Sequence, residues 1–282
     1  MEQVVLSNGV KMPMIGFGCY KVSGDGEAVF RQAIEAGYRH FDTAKFYGNE
    51  KELGEAIKNR GIPREEFFIT TKLWRDELER PQEAIEESLR LLNTDYLDLY
   101  LIHWPRPSDL SECWQELDLS AWRAMEEAYT DGRLRAIGVS NFLPHHLMPL
   151  FDRAEVRPMV NQLEFHPGYT QEAAVAYSKE NGMVVEAWSP LGRARLGKEP
   201  LLLELAEKYQ VTTAAVCLRF ALQCGVVPLP KSSDPVRMKD NMDIFGFSIE
   251  ESDMYRIRTL PQAGWSGEHP DRETAEKDMR FS

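Results

Sequence analysis

The sequence predicts an α/β fold, a closed (β/α)8 TIM barrel with an N-terminal β-hairpin and two extra helices. First, apolar strand-like segments alternate with amphipathic helical segments, the order typical of a parallel sheet covered by helices. Second, a chain of 282 residues is the usual length of one such barrel. Third, the first barrel strand, MIGFGCY, carries no GxGxxG turn, which disfavours an open dinucleotide-binding sheet.

The elements can be assigned in order along the chain. Residues 1–13 are predicted to form two short strands around Asn8 and Gly9, a dipeptide that favours a tight hairpin turn. The barrel strands are MIGFGCY, YRHFDT, EEFFITTK, YLDLYLIH, LRAIGVS, MVNQLEF, MVVEAWSP and VVPLPKS. A helical segment follows each strand, and several end in glycine, as helices often do. The extra helices arise because two helical segments precede the last strand and SIEESDMYRIRTL closes the fold.

No linker or low-complexity segment divides the chain, so residues 1–282 are expected to form a single domain. The polar segment 261–282 is expected to be a tail near the mouth of the barrel. The loop from Arg106 to Leu119 is expected to lie beside it, where loops of a barrel set specificity.

Charge and composition exclude several classes of function. A net charge of −12 disfavours nucleic acid or an anionic membrane as a partner, since both need clustered positive charge. No secretory signal and no long apolar stretch is evident, so a cytoplasmic protein is expected. The four cysteines have neither CxxC nor Cys/His spacing, which predicts free thiols and no metal site. We expect a monomer.

Four residues at the ends of predicted strands indicate chemistry. Asp42, Lys72 and His103 close the second, third and fourth strands, and Tyr47 follows Asp42 by five residues. In a β/α barrel, that end of the strands is where active sites lie. A free phenol has a pKa near ~10, and a nearby ammonium favours its phenolate form. Tyr47 and His103 can each serve as a proton donor, and we favour Tyr47.

Six segments carry a resemblance to a known family. The chain resembles the aldo-keto reductases over nearly its whole length, most closely the bacterial members related to 2,5-diketo-D-gluconate reductase. The segments are GYRHFDTAKFYGNE, IHWP, RAIGVSNF, NQLEFHP, AWSPLG and LPKSSDPVRMKDN. The resemblance implies NADPH-dependent reduction of an aldehyde or ketone. It implies that Tyr47 protonates the carbonyl oxygen and that Lys72 lowers the pKa of Tyr47. It also implies that Asp42 pairs with Lys72 and that His103 orients the carbonyl.

The resemblance also implies a set of cofactor contacts, with NADPH preferred over NADH. Ser140, Asn141 and Gln162 would hold the nicotinamide carboxamide, and Trp188, where many relatives have tyrosine, would stack on the ring. The remaining residues follow the cofactor outward along its phosphates to the adenosine. They are Ser189 and Leu191 for the pyrophosphate, Lys231, Ser232 and Arg237 for the 2′-phosphate, and Asn241 for the adenine.

Substrate contacts are expected from Tyr20, Trp74 and Trp104, together with His103, with a small carbonyl compound, a keto-sugar acid or an aldose as substrate. Two other functions compete with this one. A cofactor-binding regulatory subunit of the same fold would bind nicotinamide cofactor with little turnover. A different barrel enzyme, such as a phosphosugar isomerase or an aldolase, would use a lysine or glutamate at the mouth and would leave Tyr47 without a role.

Overall fold

The computed structural model describes residues 2–22, 24–107 and 112–272, and eight parallel strands form its centre. Each strand pairs with the one before it in the chain. The strands are β3 (Phe17–Gly18), β4 (His40–Asp42), β5 (Phe68–Leu73), β6 (Leu99–Ile102), β7 (Ile137–Ser140), β8 (Val160–Glu164), β9 (Val184–Trp188) and β10 (Val226–Pro228). The predicted α/β architecture is confirmed.

Backbone hydrogen bonds close the sheet between its first and last strands. The N–H of Gly16 donates to the carbonyl oxygen of Pro228 at 3.1 Å, and that of Gly18 donates to Pro230 at 3.0 Å. A side chain at position 18 could not be accommodated, because its Cβ would lie 2.8 Å from the carbonyl oxygen of Leu229. Glycine therefore allows the close backbone approach that completes the barrel.

The predicted N-terminal hairpin is present and covers the N-terminal end of the barrel. Its strands are β1 (Gln3–Val5) and β2 (Lys11–Pro13), paired antiparallel, and Gly9 has a φ of 88° in the turn. Leu6 and Met12 are buried in one apolar cluster with residues of the barrel strands, among them Phe68, Leu99 and Val160. The closed end of the barrel is thus apolar.

Helices surround the sheet in the predicted order. They are α1 (Gly26–Glu35), α2 (Glu50–Lys58), α3 (Pro81–Leu92), α4 (Trp114–Thr130), α5 (Pro144–Arg153), α6 (Glu172–Glu180), α7 (Pro200–Tyr209), α8 (Thr213–Gln223), α9 (Pro235–Met242) and α10 (Glu251–Arg258). The two extra helices are confirmed, because α7 and α8 both precede β10 and α10 follows α9. None of the helices within these residues is long and apolar enough to cross a membrane.

The segment from Arg106 to Leu119 differs from the expected loop. Helix α4 already begins at Trp114, so the connection is shorter than expected, and residues 108–111 of it lie outside the described residues. The Trp114 ring packs against His146 of α5 at 5.4 Å between centroids, and Glu116 pairs with Arg153. These contacts with α5 stabilise a first turn whose own sequence has no strong helix-start signal.

Side-chain alternation along the strands brings polar residues together inside the barrel. Successive residues of a strand point to opposite faces, so positions two apart share the interior face. Asp42 and Lys72 lie at the C-terminal ends of β4 and β5, and Gln162 pairs with Glu186 on neighbouring strands β8 and β9. All four are buried. The interior thus changes from apolar at the hairpin end to polar at the opposite end.

Candidate active site

Lys72 is the centre of the polar cluster. It is fully buried, and its ammonium donates to both carboxylate oxygens of Asp42, at 2.7 and 2.8 Å, and to the carbonyl oxygen of Thr43 at 2.9 Å. Its next contact is the hydroxyl of Tyr47, at 3.4 Å. A buried ammonium needs such partners, because an unpaired charge in an apolar interior is very costly. The structure therefore brings together three of the four predicted catalytic residues.

Tyr47 stands in a short 3-10 turn, Lys45–Tyr47, directly after β4. Burial raises the pKa of the phenol well above its ordinary value, and the negative charge of Asp42 adds to this effect. The direction is opposite to the depression expected from Lys72. The reason is that Asp42 already neutralises the ammonium, so burial decides the outcome. The phenol is consequently held protonated at neutral pH.

His103 completes the predicted set. Its ring lies against the Tyr47 ring at 5.6 Å between centroids, with the planes nearly perpendicular. Burial lowers the pKa of His103 well below its ordinary value, and the positive charges of Lys72 and Arg75 act in the same direction. The imidazole is therefore neutral and can accept or donate one hydrogen bond.

A pocket of about 580 Å³ opens above these residues. A cavity of this size is within the usual range for small-molecule sites. Of the predicted residues it is lined by Asp42, Tyr47, His103, Tyr20, Trp74, Trp104, Asn141, Gln162, Trp188, Ser189, Leu191 and Lys231. Among these twelve, Asp42 and Lys231 are the charged residues. Asp42 is paired with Lys72, whereas Lys231 brings a positive charge to the wall of the pocket.

Aromatic side chains form one wall of this pocket. Trp74 and Trp104 are buried in a cluster with Phe46 and Trp188, and the Phe46 ring stacks on Trp74 at 4.0 Å. Phe46 is not among the residues predicted from the sequence, although it immediately precedes Tyr47 in the chain. Its position beside the proton-donor candidate is the signal that could have identified it. The Tyr20 ring lies 5.0 Å from that of Tyr47.

The predicted nicotinamide contacts are connected to one another. Asn141 donates to the carbonyl oxygen of His103 at 3.0 Å and to the hydroxyl of Ser140 at 3.1 Å, and it accepts from the indole of Trp188 at 2.8 Å. Ser140 donates to the backbone carbonyl of Gln162 at 3.0 Å. Both ends of the Asn141 amide are thus engaged, and only lone pairs on oxygen stay available to a ligand.

Of the predicted adenosine contacts, Lys231 lines the pocket, whereas Ser232, Arg237 and Asn241 are not among the residues that line it. Asp234 caps α9 by accepting from two backbone N–H groups of its first turn. Lys231 is exposed, the side chain of Arg237 is 70% exposed, and Ser232 and Asn241 are buried beside them. Partial desolvation of its ammonium, together with the positive charge of Arg237, lowers the pKa of Lys231. Two neighbouring cations at a helix start are suited to a phosphate dianion.

Part of the C-terminal tail covers the rim of the pocket. Glu268 lines the pocket and pairs with Arg193 from the loop after β9, and Ser266 donates to Glu164 at 2.7 Å. The tail therefore lies near the active-site mouth over residues 261–272. Residues 273–282 of the predicted tail lie outside the described residues. Arg193 and Glu268 are not among the residues predicted from the sequence, because only the fold makes them neighbours.

His145, His146 and Asp271 also come together, in an arrangement that resembles a metal site. The backbone N–H of Leu143 donates to Nδ1 of His146 at 3.1 Å, so a neutral His146 carries its proton on Nε2. Nε2 lies 2.9 Å from Asp271 and donates to it. Burial lowers the pKa of His146 to about 4, which keeps it neutral. A protonated Nε2 has no lone pair for a metal, so His146 caps α5 and holds the tail.

Comparison with known proteins identifies the family of the chain. Residues 16–261 match the Aldo/keto reductase family. A glyoxal reductase of Bacillus subtilis is 45% identical over 274 residues, covering 96% of each chain. Methylglyoxal reductase DkgA of Salmonella typhimurium is 40% identical over 272 residues, covering 95% of this chain and 96% of that protein. The crystal structure of MGS-M4, an aldo-keto reductase from a deep-sea metagenome library, superposes with a TM-score of 0.89 at 40% identity, covering 95% and 98%.

The chain belongs to the aldo/keto reductase family. Members of this family are oxidoreductases that act on carbonyl compounds and generally use nicotinamide cofactors. The resemblance inferred from the six sequence segments is therefore confirmed at the level of the family. The narrower likeness to 2,5-diketo-D-gluconate reductases stays a prediction.

Proposed function

We propose that this protein reduces small aldehydes and ketones to alcohols with NADPH, and that Tyr47 donates the proton. The observation that carries the proposal is the contact of the Lys72 ammonium with Asp42 on one side and the Tyr47 hydroxyl on the other, at 3.4 Å. A protonated phenol at the floor of an aromatic pocket, next to a neutral imidazole, has the chemistry of a general acid for a carbonyl oxygen.

Each residue then has a defined part in the reaction. The carbonyl oxygen of the substrate accepts a hydrogen bond from Tyr47 and another from the neutral imidazole of His103, which polarises the carbonyl carbon. Bound NADPH would supply the hydride to that carbon. As negative charge develops on the oxygen, Tyr47 transfers its proton, and the ammonium of Lys72 at 3.4 Å stabilises the phenolate that remains. Asp42 keeps Lys72 charged and in position throughout.

The residues present fit NADPH. Asn141 and Gln162 would hold the carboxamide, because both line the pocket and offer oxygen acceptors to its N–H groups, while the fully buried Ser140 would position Asn141 through its hydroxyl. The half-buried indole of Trp188 would stack on the ring. At the other end, Lys231, Ser232 and Arg237 would bind the 2′-phosphate, Asn241 the adenine, and Ser189 and Leu191 the pyrophosphate. An NADPH preference follows because NADH lacks the 2′-phosphate that these two cations favour.

The substrate we propose is a small 2-oxoaldehyde or a related short carbonyl compound. Two relatives more than a third identical over nearly the whole chain are named glyoxal reductase and methylglyoxal reductase. The aromatic wall of Phe46, Trp74 and Trp104 lines the same pocket as Tyr47, where a compact carbonyl compound would fit. A short substrate would also be shielded from water by this wall, which strengthens its hydrogen bonds.

The test is NADPH consumption, followed at the nicotinamide absorbance band, with methylglyoxal, an aromatic aldehyde, a diketogluconate and an aldose. Wild-type protein is expected to turn over methylglyoxal fastest, and the same assay with NADH to run more slowly. Tight NADPH binding without turnover of any member would favour the regulatory-subunit alternative. Absence of NADPH binding would contradict the proposed function altogether.

A further inference from the structure

Glu186 is a fully buried acid directly beneath the pocket, and the reaction as described gives it no part. Its side-chain oxygen Oε2 accepts from the side-chain amide of Gln162 at 2.9 Å, while its other oxygen lies 3.5 Å from Nε2 of His40. Burial raises the pKa of Glu186 to about 8, with the charge of Asp42 adding to the effect. Burial lowers the pKa of His40 to about 3, so that residue is neutral.

The amide nitrogen of Gln162 is shared between two acids. It donates to Oδ1 of Asp42 at 2.8 Å across the barrel and to Glu186 at 2.9 Å on the neighbouring strand. A primary amide nitrogen has two hydrogens, so both are used. Within the described residues, no hydrogen bond to the side-chain oxygen Oε1 of Gln162 is found, and Gln162 lines the pocket. The pocket therefore meets this amide as an acceptor only.

The neighbouring groups have the same character. Asn141 has both amide hydrogens engaged with His103 and Ser140, and the hydroxyl hydrogen of Ser140 is donated to Gln162. At this end of the pocket, the side chains of Gln162 and Asn141 thus offer lone pairs and no hydrogens. A head group that carries two N–H donors, as a primary carboxamide does, is complementary to them.

We propose that Glu186 is a positioning residue that orients the side-chain amide of Gln162 so that its oxygen faces the pocket. Through Gln162, the pocket then prefers a nucleotide whose head group donates hydrogen bonds, as a carboxamide does. Asp42 takes one amide hydrogen of Gln162, and Glu186 takes the other. Without Glu186, the second hydrogen can turn toward the pocket, and Gln162 becomes a mixed donor and acceptor. This inference rests on the proposed NADPH site and names a determinant of its selectivity.

The experiment compares the affinities of NADP⁺ and of its 3-acetylpyridine analogue, measured by calorimetry. The analogue has a methyl ketone in place of the carboxamide, so it keeps the carbonyl acceptor and loses both N–H donors. Leaving a buried acceptor unsatisfied typically costs about five- to hundredfold in affinity. Wild type is expected to bind NADP⁺ at least about fivefold more tightly than the analogue. If wild type binds NADP⁺ and the analogue with nearly equal affinity, this result alone overturns the proposal.

Two substitutions and a control isolate Glu186. Glu186→Met removes the acceptor at similar length, and the affinity ratio is expected to fall by about threefold or more. Glu186→Gln keeps an acceptor oxygen for Gln162, and the ratio is expected to stay near that of wild type. The matched control is Thr70→Val, which removes an interior hydroxyl that contacts His40 at 3.2 Å. Its ratio is expected to match wild type.

The outcomes separate this inference from the proposed function. A Glu186→Met protein with the thermal midpoint of the control and the wild-type ratio overturns the inference alone. Loss of the preference in Glu186→Gln to the same degree as in Glu186→Met also overturns it. Failure of wild type to bind either nucleotide overturns the inference and the proposed cofactor together.

Discussion

Replacing Lys72 with methionine tests whether the charge pairing of Lys72 with Asp42 stabilises the centre of the site. Methionine has nearly the same length, so the substitution removes the ammonium without opening a large cavity. Both oxygens of Asp42 then lose their closest donor, at 2.7 and 2.8 Å, in a position where Lys72 is fully buried. Removing one partner of a buried ion pair costs roughly 3–5 kcal/mol. We expect activity to be lost, and the protein to stay folded at 25 °C.

The double variant Lys72→Met/Asp42→Asn provides the decisive comparison. Asp42→Asn alone leaves an unpaired buried ammonium and is expected to cost about as much as Lys72→Met. The double variant contains neither charge and keeps an amide oxygen as acceptor for Gln162. Its free energy of unfolding is expected to lie within about 2 kcal/mol of that of wild type, because replacing both partners of a buried ion pair often changes stability little.

The free energy of unfolding is measured for the four proteins in urea at pH 7, by circular dichroism and by tryptophan fluorescence. Coincident transitions from the two probes show that a two-state analysis applies. A double-variant cost equal to the sum of the two single costs, about 6–10 kcal/mol, would refute the reasoning that charge pairing holds this centre together.

Three further predictions follow from the site. Arg237→Ala should weaken NADPH binding by about tenfold and NADH binding by less than about twofold. The control Lys239→Ala, which removes an equal charge from the same helix, should change neither affinity. Equal weakening of both nucleotides by Arg237→Ala would contradict a role of Arg237 in binding the 2′-phosphate. Phe46→Ala should raise the KM for methylglyoxal severalfold while the dissociation constant of NADPH stays within about twofold of wild type, since the ring belongs to the aromatic wall; an unchanged KM would exclude that wall from substrate binding. Glu186→Gln should flatten the pH dependence of stability. The pKa of Glu186 in the folded state, about 8, lies above its ordinary value of 4.5, so wild type loses stability as the pH rises between these values. The loss is at most about 5 kcal/mol, at 1.36 kcal/mol per pH unit. Asp118, whose pKa burial also raises to about 8, is present in both proteins and cancels in the difference; parallel curves of stability against pH from 5.5 to 8.5 would contradict this assignment.

The positions of the catalytic candidates could be predicted from the sequence because a barrel converts strand ends into neighbours. Asp42, Lys72 and His103 each follow an apolar segment of strand length, and consecutive parallel strands place their C-terminal ends side by side. The register of the strands then determines which of them point inward. The strand ends therefore indicated three of the four residues, Tyr47 followed from its position five residues after Asp42, and the family resemblance implied the same four.

Contacts across the barrel could not be predicted in this way. Gln162 donates to Asp42 from a strand on the opposite side, 120 residues away in the chain. Strand order fixes which strands are adjacent, but the diameter and tilt of the closed barrel decide which interior side chains meet across it. Glu186 was not selected either, because its contact with Gln162 depends on the register between the neighbouring strands β8 and β9.

The start of α4 illustrates a second limit. The sequence before Ser120 has no strong helix-start signal, and the expected helix began there. Trp114 packs against His146 of α5, and the guanidinium of Arg106 lies over its ring at 5.9 Å. Tertiary contacts of this kind override local propensity, so the first turns of α4 follow from packing against a neighbour rather than from their own sequence.

The most direct test of the central claim is the single-turnover rate of wild type and of Tyr47→Phe, each saturated with NADPH and mixed rapidly with methylglyoxal. Phenylalanine keeps the ring against His103 and removes only the hydroxyl that lies 3.4 Å from Lys72. General acid catalysis contributes about 10²–10⁴-fold, so the variant is expected to react at least a hundredfold more slowly. Its dissociation constant for NADPH should stay within about threefold of wild type. A variant that transfers hydride within threefold of the wild-type rate would contradict Tyr47 as the proton donor.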